Sequence, residues 1–222
     1  MSAAAEPPFG AIFDWDGVII DSGELHAQSW RQLAAELGRS VAPDSFIRGF
    51  GMKSAQIIAE IHRWSHDPAE IARLTNRKEA LYRELVGRSE IVPLPGVVEW
   101  LHRLGEAEVP CAVASSTQRA NIEAVLSRIG LQEAFAAIVS AEDVEHGKPH
   151  PEVFLRAAQK LALPPQSCVV FEDAHVGIEA AHAAGMKVVA VATTHPPGQL
   201  SAADLVVRRL DQLSLEQVAT LR

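Results

Sequence analysis

Apolar and polar positions along the chain fall into two textures, and the change from one to the other predicts its architecture. In the second half, short runs of almost continuous apolar character recur over residues 111–115, 137–140, 168–172, 187–192 and 204–207. Runs of that length without alternation are what strands buried on both faces of a parallel sheet require. Between them lie segments with apolar residues at helical spacing, over 96–108, 118–130, 151–163 and 174–185. Gly130 and Gly185 close two of these segments, where a left-handed residue ends a helix. Pro151 and the pair Ser116–Thr117 are helix-starting signals. The rhythm predicts an α/β fold, a Rossmann-like doubly wound parallel sheet with helices on both faces.

Residues 22 to about 90 break that rhythm. Three helical patterns, 22–38, 54–64 and 67–87, follow one another with no strand between them. Ser22 and Asp67 are suited to cap their helices, and Pro68 to the first turn. An all-helical block after a first strand at 11–16, before the alternation resumes near residue 93, reads as an insertion. The expected organisation is a core of residues 1–20 and 92–222, with an inserted α-helical cap domain over 21–91.

Composition excludes several classes of function. The net charge of −8 argues against a nucleic-acid or anionic-membrane surface. No apolar run approaches the ~18 residues a membrane span needs, and "MSAAAEPPFG" has neither the basic nor the long apolar part of a secretory signal. The two cysteines, Cys111 and Cys168, each sit in an apolar run and read as small buried hydrophobes. A cytoplasmic protein is expected, with a small molecule as partner, no nucleic acid, no membrane, and a monomer or weak homodimer as its state.

The chemistry gathers where strands end. Asp14 and Asp16 close the first run, Ser115 the second, and Glu172–Asp173 the run at 168–172, while Lys148 follows the run at 137–140. In an open α/β sheet ligands bind beyond the carboxyl ends of the strands, so these residues converge despite their separation in sequence. On an extended chain residues i and i+2 face one way, which would aim both Asp14 and Asp16 at one site. Four carboxylates, a hydroxyl and an ammonium suit Mg²⁺-assisted phosphoryl transfer. Hard oxygen ligands select Mg²⁺, a carboxylate can attack phosphorus, and cations with hydroxyl donors offset charge on the transferring oxygens. His146 and His150 do not show the spacing with Cys or acidic partners that a zinc site has.

"DWDGVIIDS", "ASS" at 114–116, "GKPHPEVF" at 147–154 and "FEDAHVGIEAAHAAG" at 171–185 resemble the four motifs of the haloacid dehalogenase superfamily. The likeness is to its phosphatase and β-phosphoglucomutase branch with a small helical cap, and it covers nearly the whole chain. The resemblance implies Asp14 as nucleophile and Asp16 as general acid/base, with the Asp16 pKa rising in the closed, phosphate-loaded site. It implies that Ser115 and Lys148 bind the transferring phosphoryl group. It assigns Mg²⁺ to Asp14, Asp173 and Asp16, the last through its main-chain carbonyl, with Glu172 supporting the metal shell. Ser116 and Thr117 extend the phosphate-binding loop. In the cap, His26, Lys53 and Lys78 match substrate-contacting positions of sugar-phosphate members, and closure of the cap would bring them over the site.

The departures from the pattern bear on the outcome. Thr117 and Gln118 stand where the mutases carry Ser and Lys, Ala174 replaces a common Ser, and Lys53 replaces an Arg that grips a second phosphate. An ammonium does not reproduce the two-pronged grip of a guanidinium. The expected activity is hydrolysis of a small phosphorylated metabolite such as a sugar phosphate, with β-phosphoglucomutase activity as the alternative. A dehalogenase would not need Asp16 or Mg²⁺, and a non-catalytic sensor would not keep Asp14 and Asp173.

Overall fold

The computed structural model describes residues 9–221. Residues 1–8, which hold most of the N-terminal stretch read above as lacking a signal, lie outside them. Six strands, β1 (Gly10–Phe13), β2 (Cys111–Ala114), β3 (Ala137–Val139), β4 (Cys168–Glu172), β5 (Lys187–Val191) and β6 (Leu205–Val207), form one parallel sheet. Its order is β3-β2-β1-β4-β5-β6. This is the doubly wound arrangement the alternating pattern predicts, and its switch point lies between β1 and β4. Asp14 follows one of these strands and Glu172–Asp173 the end of the other. The N–H of Asp14 donates to the Phe171 carbonyl at 2.9 Å, which fixes that juxtaposition.

Helices follow the strands: α1 (Gly23–Glu36), α2 (Ser45–Gly49), α3 (Ser54–Gln56), α4 (Pro68–Arg88), α5 (Val97–Glu106), α6 (Arg119–Ile129), α7 (Glu152–Lys160), α8 (His175–Ala183) and α9 (Leu215–Ala219). Side chains alternate between the faces of the sheet, and both faces are apolar, so the strands read as unbroken runs. Phe13, Val113, Val169, Phe171 and Val189 pack on one face with Trp100, Ile122 and Phe135. Ile12, Ala112, Ala114, Val170 and Ala190 pack on the other, with Phe154, Ala157, Ala158, Ala180 and Ala181. The first face is filled by large rings, while the second brings α7 and α8 close through alanines. Cys111 and Cys168 are buried and unpaired, and burial pushes their thiols up to about 12 and about 11, as unreactive core positions.

The helices between Gly23 and Arg88 carry an apolar cluster of their own, Trp30, Leu33, Ile57, Ile58, Leu74 and Leu81. The two chain segments joining this block to the sheet run side by side, and the Leu94 N–H donates to the Ile19 carbonyl at 2.8 Å. Local structure departs from expectation in places. The pattern at 54–64 predicts one helix, but α3 gives way to a π turn at Ile57–Ile61. Consecutive β-branched isoleucines crowd a regular helix, and the wider turn buries Ile57 and Ile58 against the cluster. Asp67 caps α4 as expected, its carboxylate accepting from the Ala69 N–H at 3.2 Å. Ser22 does not cap α1, because its hydroxyl is taken by Asp16, and α6 begins at Arg119 after Gln118, so Ser116–Thr117 stay in the loop. Gly130 and Gly185 end their helices at φ of +70° and +74°.

Phe171 stacks on Phe13 at 4.5 Å and meets Trp100 edge-on at 6.0 Å, with no exposure of any of the three. Phe171→Ala is expected to cost about 3–5 kcal/mol, measured as a lowered urea midpoint. A change below about 1 kcal/mol would show that this layer does not carry the core.

Candidate active site

At the switch point Asp14, Glu172 and Asp173 are buried, with carboxylate oxygens within 4.8 Å of one another. Lys148, itself with no exposure, bridges them. Its ammonium donates to Asp14 Oδ1 at 2.7 Å and to Glu172 Oε1 at 2.6 Å. Burial alone would push the Lys148 pKa down, but the two carboxylates outweigh it and hold it above the ordinary lysine value. Burial dominates at Asp14 and raises its pKa to about 7 against the pull of Lys148, with Glu172 and Asp16 adding to the rise. Asp173 is pushed well up by burial, then by Glu172 and Asp14.

Two glycines make this crowding sterically possible. Gly17, at φ +82°, has no room for a Cβ, which would lie 1.9 Å from Asp173 Oδ2. A Cβ at Gly177 would lie 1.8 Å from Glu172 Oε1. Glu172 Oε2 accepts the N–H groups of Asp173 and Ala174 at 2.7 and 2.8 Å, so this side chain shapes the loop as well as the charge. Asp173 Oδ2 accepts from the Thr194 hydroxyl and, at 3.3 Å, from Thr193. Its other oxygen, Oδ1, is buried with no hydrogen-bond partner. An orphaned carboxylate oxygen amid an all-oxygen donor set fits a hard divalent cation such as Mg²⁺.

Asp16 lines the same cavity as Asp14. The strand stops at Phe13, and Asp16 takes part in a bridge with Ile20. Its carboxylate stands outside the three-carboxylate cluster. It accepts instead from Ser22 Oγ at 2.5 Å and meets His26 Nε2 at 3.2 Å. Burial would raise its pKa, but His26, Ser22 and Lys78 together hold it below the ordinary value. With the protein groups alone, the direction is opposite to the rise expected in the phosphate-loaded site.

The polar chain continues inward. Lys78 is buried, its ammonium 2.7 Å from His26 Nδ1 and 3.1 Å from Glu79 Oε1. An ammonium can only donate, so Nδ1 accepts and Nε2–H of His26 points at Asp16. His26 stacks on Tyr82 at 4.0 Å. Glu79, also buried, accepts from Ser54 at 2.5 Å and from Asn121 of α6 at 2.6 Å. Burial would raise the Glu79 pKa, but Lys78 and the other donors keep it below the usual value. Helix α4 is thereby joined both to α6 and to Asp16.

Ser115, Ser116 and Thr117 line the cavity above the cluster with Asp14, Asp16, His26 and Lys78. Ser115 Oγ accepts the Thr117 N–H at 3.1 Å, and Ser116 Oγ donates to the Gly51 carbonyl at 2.7 Å. Lys53 is not brought there. Its ammonium donates to the carbonyls of Val144 at 2.6 Å and Glu145 at 3.3 Å, and it does not line the cavity. His146 and His150, set aside on spacing, meet Glu152 at the surface. Glu152 is already held there by the N–H groups of Glu145 and His146 and by Arg156. Thr193, Thr194, Ser22, Glu79 and Asn121 were not legible as site residues. Only the threonines carried a signal, as hydroxyls directly after an apolar strand run.

The chain matches the family model for haloacid dehalogenase-like hydrolases over residues 11–191. It is 44% identical, over 93% of its length, to a chloroplastic 5-amino-6-(5-phospho-D-ribitylamino)uracil phosphatase of Arabidopsis thaliana, and it spans 56% of that relative. It is 38% identical to the fructose-1-phosphate phosphatase of Escherichia coli, over 82% of this chain and 95% of that one. A β-phosphoglucomutase structure from Clostridium difficile superposes with a TM-score of 0.83 at 30% identity, covering 95% of each chain.

Mg²⁺ is expected to raise the unfolding temperature, by the equivalent of about 2.7 kcal/mol at a hundred times its Kd, and Asp173→Asn to abolish the shift. An equal shift in wild type and variant, by differential scanning fluorimetry, would place the ion elsewhere. Glu79→Ala leaves the buried Lys78 ammonium short of its countercharge and is expected to destabilise by about 3–5 kcal/mol, read from chemical denaturation. A loss under about 1 kcal/mol would show that the pair is not coupled to folding.

Proposed function

The chain belongs to the haloacid dehalogenase-like hydrolases, and from that premise we propose that it hydrolyses the monophosphate ester of a small metabolite. Lys148 holds Asp14 Oδ1, leaving Oδ2 to attack phosphorus, so that an O–P bond forms to Asp14 as the ester P–O bond breaks. Asp16 supplies the proton to the departing oxygen. The incoming phosphoryl group adds negative charge beside Asp16, which raises its proton affinity from the low value set by His26 and Ser22. Asp16 then takes a proton from the water that attacks the acyl phosphate, and inorganic phosphate leaves with Asp14 restored. Mg²⁺, held by Asp14, Asp173 and the Asp16 carbonyl with support from Glu172, would offset charge on the phosphoryl oxygens. Ser115, Ser116 and Thr117 offer hydroxyl and N–H donors to the same oxygens. The helices between Gly23 and Arg88 serve as a cap over this site and exclude bulk water when closed.

The observation that favours hydrolysis over return of the phosphoryl group to a sugar is the state of the cations above the site. A mutase needs a grip on a second phosphate. Arg31 and Lys78 are the lysine and arginine side chains lining the cavity; Lys78 is spent on Glu79 and His26, while Arg31 makes only an exposed surface pair with Glu24. Lys53 is tied to main-chain carbonyls outside it. The matched His26 and Lys78, together with the mutase of similar structure, support the alternative of β-phosphoglucomutase activity.

Incubated with Mg²⁺, β-glucose 1-phosphate and a trace of the 1,6-bisphosphate, the enzyme is expected to form no glucose 6-phosphate. Rapid isomerisation with far slower phosphate release would instead establish the mutase. Asp14→Asn is expected to abolish turnover of every substrate with the circular dichroism spectrum unchanged, because an amide is a poor nucleophile. Turnover persisting in the pure, folded variant would remove Asp14 from that role.

A further inference from the structure

The cavity above the carboxylates has two unlike ends. Asp14, Asp16 and Ser115–Thr117 give it polar walls, while an apolar end drawn from α1, the segment 41–52 and the π turn presents Trp30, Val41, Phe46, Phe50, Met52 and Ile57, with the Lys78 ammonium 5.3 Å from the Trp30 ring centre. Phe46 and Phe50 meet at 5.4 Å and a steep angle, and Trp30 meets His62 at 5.0 Å. Polar side chains at this end other than His62 already have partners. The Ser45 hydroxyl donates to the Ala42 carbonyl at 2.6 Å, Ser54 donates to Glu79, and Arg31 faces Glu24. A polyol carries a hydroxyl on nearly every carbon, and each one buried against these apolar side chains would leave water without gaining a partner from them.

Size narrows the choice further. The cavity holds about 190 Å³, and an apolar protein cavity of roughly 150 Å³ is enough for benzene. One ring with a phosphoryl group is accommodated in a space of this size. Aromatic walls favour a planar partner in offset or edge-on contact over a puckered one. His62 supplies a polar edge for a ring heteroatom. Its nitrogens make no hydrogen bond to another side chain among the described residues, and burial holds its pKa below the ordinary value.

We propose that the leaving group of this enzyme carries one planar aromatic or heteroaromatic ring, seated at the Trp30–Phe46–Phe50 end and joined to the phosphate by a short alkyl chain. This rests on the hydrolytic reading above and narrows its substrate class, away from the bare sugar phosphates that the sequence suggests.

Three primary alkyl esters of similar size, benzyl, cyclohexylmethyl and erythritol 4-phosphate, test it with the full chain and Mg²⁺. The expected kcat/KM for benzyl phosphate exceeds that for erythritol 4-phosphate by about tenfold or more, with the cyclohexyl ester between them. Phe50→Ala, and Phe50→Leu should the first fail to fold, is expected to shrink the preference for benzyl over ethyl phosphate by about fivefold or more. Binding of benzylphosphonate and 2,3-dihydroxypropylphosphonate, which cannot be hydrolysed, is measured by calorimetry in parallel. Tighter binding of the benzyl compound with no ester turned over would refute the hydrolytic reading and leave the ring site standing. Equal or reversed affinity would overturn the ring site, whatever the turnover.

Discussion

Three carboxylates cannot share a dry site unless something opposes their repulsion, and here that is the ammonium of Lys148. It lies within 2.7 Å of Asp14 and 2.6 Å of Glu172, with no exposure to water. Removing one member of such a buried set leaves uncompensated charge, at a cost far above that of any surface pair on this chain. The ammonium does not balance the site completely, since Asp14 and Asp173 are both pushed up and one Asp173 oxygen has no partner. A divalent cation bound there would offset that residual imbalance. The glycines beneath it follow from the same constraint, because a Cβ at Gly17 or Gly177 would occupy the space the carboxylates need.

The sheet supports this cluster by dividing its faces by size. Rings from Phe13, Phe171, Trp100 and Phe135 fill one side. Alanines on α7 and α8 let those helices approach the other, which seats the start of α8 directly under Glu172. A switch point between β1 and β4 then sets Asp14 beside Glu172 and Asp173 through one main-chain hydrogen bond. The charged site is held by strand ends that packing on both faces immobilises.

The helical block communicates with that site through buried polar contacts. Helix α4 carries Lys78 and Glu79 in succession: one meets His26 and through it Asp16, the other meets Asn121 on α6. Arg83, one turn along, also reaches Asn121 and Gln118. Any displacement of α4 therefore acts on Asp16, and the low Asp16 pKa depends on where the helical block sits.

Much of this was legible in the sequence. Strand runs, helix periods and the uninterrupted helical stretch after the first strand follow from local burial patterns, which neighbours along the chain determine. The residues Asp14, Ser115, Lys148, Glu172 and Asp173 could be grouped in advance because each lies at or beyond the end of a strand run, and parallel strands bring their carboxyl ends together. Partnership was not legible. Lys53, Lys78 and Ser22 look alike as polar residues on or beside helices, yet one is tied to distant carbonyls, one is buried against Glu79 and His26, and one is turned onto Asp16. Glu79 and Asn121 meet only because α4 crosses α6. The aromatic end of the cavity is assembled from α1, the 41–52 segment and the π turn, and side chains so far apart in sequence acquire a common wall only when the chain closes around them. Local periodicity dictated the elements and the strand-end chemistry; tertiary packing decided which charges are satisfied and what shape they face.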